Sequence, residues 1–257
     1  MYEANWLNRI PYVPVDSYNR TTYLLDFMQG DVNGDHIIDN VYLYGNKPDG
    51  PTGIFADNIT LFIQDGASQR ITQVNLKYNA GYNARLFLGD FTMDSVQDIK
   101  VDIDSGGSGG YLYSYIYSFR NNVLQELFDF EKYNNQYKYR VDYADFYKVY
   151  IGNVDLDRLL VLDISFKSYD YLSKYYDENG KLKQPAEGEV LALGGLFPAA
   201  INEKTKSFDL LAVQRVIGES NADTLGYVTN LLRWNGMVFI AYRSVSVMES
   251  TNLIAHF

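Results

Sequence analysis

Apolar and polar residues alternate along much of the chain with a period of two, which is the pattern of half-buried β-strands. In residues 58–64, Ile59, Leu61 and Ile63 fall on one face and the residues between them fall on the other. Only residues 169–176 suit a turn or two of helix. Several alternating segments are separated by dipeptides that favour hairpin turns, namely Asp65-Gly66, Asn179-Gly180 and Asn235-Gly236. The pattern therefore predicts an all-β chain.

Four segments share one order of features: a strand ending in glycine, a loop rich in Asp and Asn, a second apolar strand, and two further strands. The glycines that mark the four repeats are Gly30, Gly89, Gly152 and Gly195. A four-stranded sheet cannot bury both faces alone, so such units would pack around an axis. We therefore predict a β-propeller of about four four-stranded blades, with a β-sandwich as the alternative. Residues 21–245 would form this domain, residues 1–20 an N-terminal extension or closing strand, and residues 246–257 a C-terminal tail.

The first repeated loop, residues 31–39, has a spacing of oxygen-bearing residues that suits calcium. Calcium takes about six to eight oxygen ligands, and Asp or Asn at positions 1, 3 and 5 of a tight loop supplies three of them. The predicted ligands, in loop order, are Asp31, Asn33, Asp35, the carbonyl of Ile37, and Asp39. The alternative is an Asx-rich turn that holds no ion.

The other repeated loops depart from this spacing to different degrees. Residues 90–98 form a weaker second loop in which Met93 replaces the glycine of the first loop, and the predicted ligands are Asp90, Thr92, Asp94 and Asp98. The third loop, with Asn153, Asp155 and Asp157, has Val161 at its ninth position. The fourth, around residues 199–209, has lost most ligand types. The sequence thus predicts one good calcium site and one of lower affinity.

Composition and charge narrow the classes of partner. The 257 residues include 22 basic and 32 acidic side chains, a formal charge of −10 that repels phosphate backbones and anionic lipid surfaces. The absence of cysteine excludes disulfides and thiolate metal sites. No apolar run approaches the roughly 20 residues that span a bilayer, and residues 1–20 lack the pattern of a signal peptide. Nucleic acid and membrane insertion are therefore not expected, and the oligomeric state stays open.

At Gly30–Val41, and more loosely at Gly89–Ile99, the chain resembles the FG-GAP and VCBS-type repeat proteins, whose blades join two strands through a loop like Gly-Asp-Val-Asn-Gly-Asp. Further stretches, such as residues 61–66 and 225–236, resemble single-domain repeat proteins of spore-forming Gram-positive bacteria. The resemblance implies a calcium-stabilised propeller at the cell or spore surface or outside the cell. It also supports the five ligands of the first loop, although His36 stands where those repeats usually have glycine.

Catalytic signals are weak. The segment Gly106–Gly110 matches the pattern around a nucleophilic serine, but a strand and not a helix is predicted after Ser108. The carboxylates of Asp102 and Asp104 suit a solvated rim better than a glycosidase pair. No catalytic residue is therefore assigned.

The favoured function is a binding or structural module for a protein or glycan ligand. The tyrosines of residues 111–117 would serve either as a contact platform or as core packing. The alternative is a hydrolase or lyase that acts on polysaccharide through an acidic pair or calcium.

Overall fold

The computed structural model describes residues 22–153, 157–202 and 207–247, with no side-chain description for residues 201 and 202. The first half of the described chain consists of strands β1 (Thr22–Gly30), β2 (Asp39–Asn46), β3 (Phe55–Gln64), β4 (Ile71–Asn75), β5 (Gly81–Gly89), β6 (Asp98–Asp104), β7 (Leu112–Ser118) and β8 (Gln125–Asp129). The second half consists of α1 (Phe130–Gln136), β9 (Arg140–Ala144), β10 (Lys148–Asn153), β11 (Arg158–Asp163), α2 (Tyr169–Tyr175), β12 (Glu187–Asn202), β13 (Ser207–Ile217), β14 (Thr224–Trp234) and β15 (Phe239–Val247).

The first eight strands form one antiparallel sheet in two halves. Strand pairing joins the meander β1–β4 to the meander β5–β8 only between β3 and β5, where Phe55 pairs with Tyr82 and Ala56 pairs with Gly81. Because this joint is so short, the two halves fold toward each other, and the Leu86 N–H of β5 donates to Asp26 Oδ2 at a bulge in β1 (2.7 Å).

The other seven strands form a second antiparallel sheet in the order β11-β10-β9-β12-β13-β14-β15. Its edge strands β11 and β15 come together without forming a ladder. Instead, Ser246 Oγ donates to the Val161 carbonyl (3.1 Å) and Arg158 Nη2 donates to the Ala241 carbonyl (3.4 Å). The sheet is thus curled into a nearly closed barrel, in which the twist of the long strands β12–β14 brings the edges together.

The half-sheet β5–β8 is the middle layer of the molecule. One of its faces, with Val101 and Tyr115, packs against the apolar face of β1–β4. Its other face packs against the barrel, where the ring of Phe87 meets Phe208 at 5.4 Å between centroids and Phe128 meets Phe239 at 6.1 Å. A second core fills the barrel beneath α2, and it includes Val149, Leu162, Tyr175 and Val228.

The prediction of a β-propeller is wrong, since the described strands are not divided into four separate blades. The first two repeats do form four-stranded meanders, and Gly30 and Gly89 end their first strands as expected. The last two repeats instead merge, because β9 pairs with β12 through Gly188 opposite Val141. Gly195 lies inside the 16-residue strand β12, beside a shift in register, and therefore does not mark the end of a strand.

The helices were predicted in part. Helix α2 lies within residues 169–176, where a turn or two of helix was predicted. Helix α1 was missed, although Asp129 caps its first turn by accepting from the N–H groups of Glu131 and Lys132. No helix in the described part of the chain is long and apolar enough to cross a membrane.

Candidate functional site

The two best predicted calcium loops occupy equivalent places in the fold. Loop one (residues 31–39) joins β1 to β2, and loop two (residues 90–98) joins β5 to β6. In each loop the last aspartate pairs with the glycine that ends the preceding strand, Asp39 with Gly30 and Asp98 with Gly89. The repeat read from the sequence is therefore real at the level of these two hairpins.

Loop one is closed by hydrogen bonds from its own backbone. Asp31 accepts from the N–H groups of Gly34 (2.6 Å) and His36 (2.9 Å), while Asn33 Oδ1 accepts from Asp35 (2.9 Å). The buried carboxylate of Asp39 accepts from Val32 N–H at one oxygen (3.0 Å). Its other oxygen accepts from the N–H of Gly66 (2.8 Å). Asp35 Oδ1 accepts from the N–H of Ile37 (2.8 Å), and the Ile37 side chain is exposed.

Loop two repeats the same pattern of bonds. Asp90 accepts from the N–H groups of Asp94 (3.1 Å) and Ser95 (3.1 Å), and Asp94 Oδ1 accepts from Val96 N–H (3.0 Å). Asp98 Oδ2 accepts from the N–H groups of Phe91 and Thr92. Both loops thus form chains of Asx turns, in which side-chain oxygens of Asp or Asn take the place of backbone acceptors.

The loops also pack on one another in series. The Gln97 N–H of loop two donates to the Asp31 carbonyl of loop one (3.3 Å), and the Phe208 N–H of β13 donates to the Asp90 carbonyl (2.9 Å). A Cβ atom at Gly34 would lie only 2.9 Å from Val96 Cγ2, so a larger residue would clash there. The φ of Gly34, +86°, also favours glycine. The acidic loops therefore form one edge of the layered core.

The oxygen-bearing side chains of both loops are suitable ligands for a hard cation such as calcium. Most of these oxygens, however, accept hydrogen bonds from backbone N–H groups. In the described ranges, no group of three or more Asp, Glu or His side chains is arranged to hold a metal ion. Burial raises the pKa of Asp39, and it raises the pKa of Asp98 to about 7, so a cation there would compete with a proton. Thr92 Oγ1 is buried and has no hydrogen-bond partner among the described protein atoms. This hydroxyl oxygen of loop two is therefore available as a ligand for a cation. Calcium binding stays a prediction for both loops.

Loops three and four are built differently. Asn153 donates to the Lys138 carbonyl (2.6 Å), and Asp155 lies outside the described residues. In the fourth hairpin, Asp209 forms a bidentate ion pair with Arg233 (2.8 and 3.1 Å).

The open face of β1–β4 carries an uncharged set of side chains that was not singled out from the sequence. The strand register places them in three rows across the four strands. From one end of the sheet to the other, the rows are Gln29, Asn40, Gln64 and Ile71; Phe27, Tyr42, Phe62 and Gln73; and Leu24, Tyr44, Thr60 and Asn75. None of the twelve side chains is charged, although charged residues make up 21% of the whole chain. We call these residues the open face.

Aromatic rings form a continuous group on this face. Phe27 is stacked on Tyr42 with 4.9 Å between ring centroids, and Tyr44 and Phe62 form a T-shaped pair with 5.9 Å between centroids. Phe27 is 40% exposed, Tyr44 and Phe62 are half-buried, and Tyr42, which lies between Phe27 and Phe62, is only 5% exposed. The group thus contains one exposed ring, two half-buried rings and one buried ring.

A row of amide side chains lies beside the rings. Gln29 Nε2 donates to Asn40 Oδ1 (2.8 Å), Asn40 Nδ2 donates to Gln64 Oε1 (3.3 Å), and Gln64 Nε2 donates to Gln69 Oε1 (3.1 Å). The Tyr42 hydroxyl also donates to Gln64 Oε1 (3.2 Å). Each amide has two N–H groups, so each of these donors has a second one to offer. The amides line a cleft of about 550 Å³, within the range of small-ligand sites.

The residues considered for catalysis have structural partners. Asp102 accepts from Ser114 Oγ (2.6 Å) and forms ion pairs with Lys100 and Arg85, and Arg85 also binds Asp104. Ser108 is followed by a turn and then by β7, so no nucleophile elbow forms.

The tyrosines of residues 111–117 and the two histidines lie in different environments. Tyr115 and Tyr117 are buried, so their role is packing, whereas Tyr111 is 36% exposed and a contact platform stays a prediction there. His36 is almost fully exposed and lies 3.5 Å from Asp31. His256 lies outside the described residues.

The chain is therefore an all-β protein that combines a layered antiparallel sheet with a nearly closed barrel. Its outer sheet presents an uncharged face of aromatic rings and amides. The chain belongs to the YybI family. It is 38% identical over 255 residues to the uncharacterized protein YybI of Bacillus subtilis (strain 168), an alignment that covers 98% of this chain and 95% of that protein. Residues 137–247, which span the barrel, match the YybI C-terminal domain. No solved structure matches the chain.

This membership corrects the family inferred from the sequence. The FG-GAP and VCBS resemblance rested on the acidic loops, and the relationship found over nearly the whole chain is to YybI. Two hairpins carry loops of that kind, but they belong to a different architecture. The location at a cell or spore surface, which was inferred from the resemblance, loses that support.

Proposed function

We propose that this protein is a non-catalytic binding module that receives its ligand on the open face. The observation that carries the proposal is the uncharged combination of partly exposed rings, paired amides and a cleft on the outer surface of β1–β4. Surfaces that need only solubility carry charges, and the rest of this acidic chain supplies them. A face that is ordered by hydrogen bonds between its amides and carries no charge therefore favours recognition of a ligand.

The alternative, an enzyme acting on polysaccharide, has less support. The carboxylates of Asp102 and Asp104 are engaged by basic side chains in the described structure, and Asp102 is buried. Burial also raises the pKa of Tyr133 and of Tyr117, which disfavours their use as bases.

Binding can be tested by co-sedimentation with the insoluble cell-envelope fraction of Bacillus subtilis, chosen because the similar protein comes from that organism. We expect the wild-type chain to sediment with this material. The double variant Phe27→Thr, Phe62→Thr should lose most of that binding, since it removes two rings from the open face while keeping residues that favour strands. Tyr150→Thr is the matched control, because Tyr150 is an exposed strand tyrosine (42%) of the barrel. Equal sedimentation of all three proteins would place the ligand elsewhere.

We also propose that calcium stabilises the acidic loops, at loop one first. The ion would offset repulsion among Asp31, Asp35 and Asp39, whose spacing in the sequence suits it. A ligand that binds only the folded state stabilises it by about 2.7 kcal/mol at a hundredfold excess over Kd. At roughly 2–4 °C per kcal/mol, millimolar calcium should raise the melting temperature by several degrees relative to EDTA.

Substitutions distinguish an ion from an Asx turn. Asp35→Ala should remove most of the rise caused by calcium. Asp177→Ala is the control, because Asp177 also closes a turn, by accepting from the N–H groups of Asn179 and Lys181, but lies outside the acidic loops. It should lower the melting temperature equally in calcium and in EDTA. If the wild-type chain melts at one temperature in both conditions, hydrogen bonds alone close loop one.

A further inference from the structure

We infer that the ligand of the open face is a neutral polysaccharide, an extended chain of uncharged hexose units that lies across strands β1–β4. This inference rests on the proposed binding function and names the chemistry of the ligand. Three features of the face support it: the partly exposed rings, the amide row beside them, and the absence of charge.

The rings and the amides suit the two kinds of surface that a hexose presents. The C–H groups on the flat side of a sugar ring pack against aromatic rings, and the ring of Phe27, which is 40% exposed, lies in one row with the half-buried ring of Phe62. The hydroxyl groups at the edge of a sugar ring both donate and accept hydrogen bonds. Side-chain amides offer both partners as well, and Gln29, Asn40 and Gln64 form the adjacent row.

The spacing of the rows agrees with this arrangement. Neighbouring rows are two residues apart along each strand, which is about 7 Å at 3.4 Å per residue. A sugar unit lying on the ring row can therefore extend its edge toward the amide row. The four strands are spaced by about 4.8 Å, so a row extends over about 14 Å, and an extended chain could contact it with several units.

The amides are also held in place before any ligand arrives. Gln64 accepts from Asn40 and Tyr42 and donates to Gln69, which in turn donates to the Gly66 carbonyl (2.7 Å). Fixing a glutamine on binding costs side-chain entropy, and that cost is reduced here because the row is already ordered. Preorganised polar groups of this kind suit a ligand that offers only hydroxyl groups.

Charge selects among the possible occupants. A net charge of −10 disfavours anionic polymers, while the open face itself has no carboxylate to attract a cationic ligand. Protein interfaces are enriched in arginine as well as in aromatic residues, and this face has no arginine. A neutral polymer carries no charge that must be desolvated, so it fits best.

The test measures binding of the purified full chain to insoluble cellulose and chitin and to soluble neutral β-glucan, with polygalacturonate as the anionic arm. We expect saturable binding to at least one of the three neutral polymers that changes little between 50 and 500 mM salt. Gln64→Leu and the double variant Phe27→Thr, Phe62→Thr should each weaken it about tenfold or more. Tyr150→Thr should stay within about twofold of the wild-type chain. Circular dichroism and melting temperatures should confirm that each variant is folded.

Each contrary outcome overturns the inference in a different way. Binding to none of the neutral polymers, or binding only to polygalacturonate, would exclude the proposed ligand class. If the envelope-binding experiment succeeds but soluble β-glucan and chitin fragments do not compete, the binding function stands and the polysaccharide inference fails. A dimer that Phe27→Asp dissociates would show that a second copy of the chain covers the open face.

Discussion

Asp102→Ala is expected to lower the free energy of unfolding by about 3–5 kcal/mol, a large part of the total for a domain of ordinary stability. Lys100 is 3% exposed at the interface between β5–β8 and the barrel, and its ammonium is paired with the carboxylate of Asp102. Removal of that carboxylate leaves a charge in an apolar environment between Phe87 and Ile116, its neighbours across the strands. Urea unfolding followed by tryptophan fluorescence measures the loss.

Lys100→Met is the matched control. It removes the ammonium and keeps most of the stem, while Asp102 retains the Ser114 hydroxyl and the Arg85 guanidinium. The loss should therefore be smaller, about 1–2 kcal/mol, and Lys100→Met should partly rescue Asp102→Ala in the double variant. Equal losses in both single variants with no rescue would mean that side-chain packing, and not an unpaired charge, determines the stability at this interface.

The pH dependence gives an independent check. Burial lowers the pKa of Lys100 even in the wild-type chain, and loss of Asp102 lowers it further. A lysine whose folded-state pKa lies below its unfolded value makes the folded state bind fewer protons than the unfolded state. Stability then rises with pH between the folded pKa and about 10.5. The destabilisation caused by Asp102→Ala should therefore shrink as pH increases from 7 toward 10.

Tyr137→Ala is expected to cost about 3–5 kcal/mol, because it leaves a cavity where α1 meets the barrel. Tyr137 follows the last residue of α1, and its ring is fully buried and stacked on Tyr133 with 4.5 Å between centroids. Its hydroxyl accepts from the Ala241 N–H of β15 (3.0 Å), and its carbonyl accepts from Gln214 Nε2 of β13 (3.2 Å). The residue therefore links the helix to two barrel strands.

Tyr137→Phe separates the ring from the hydroxyl. It keeps the stacking and leaves one backbone N–H without its acceptor, which should cost only about 1–2 kcal/mol. Thermal or urea unfolding of both variants provides the comparison. If Tyr137→Phe is as destabilising as Tyr137→Ala, the hydroxyl and not the packing of the ring is the main contribution at this position.

The sequence predicts which face of a strand the residues of the candidate site lie on, but not which of them lie side by side. The alternation in residues 58–64 already placed Phe62 and Gln64 on the face opposite Ile59 and Leu61. What it could not supply was the register that sets Gln64 beside Asn40 and Asn40 beside Gln29, since each belongs to a different strand. A shift of one residue would turn every side chain of a strand to the other face, so only the paired sheet defines the open face.

Helix α1 has a sequence signal of its own inside a region of strand-like alternation. Phe130, Tyr133 and Tyr137 recur at the helical spacing of three and four residues, and Asp129 stands at the capping position. The surrounding strand pattern concealed a segment of only seven helical residues. Burial of Tyr133 and Tyr137 against the barrel strands stabilises this short helix, which by itself would be marginal in water.

The sequence by itself determined the strands, most turns, the two acidic hairpins and the acidic surface, because period-two alternation, Asp-Gly or Asn-Gly turns and net charge act over a few residues or over the whole composition. The tertiary structure decided which strands pair. The contact of β9 with β12 joins residues separated by α2 and two strands, and it turns two expected blades into one curled sheet. Such pairings depend on how distant apolar faces are buried together, which local periodicity does not encode.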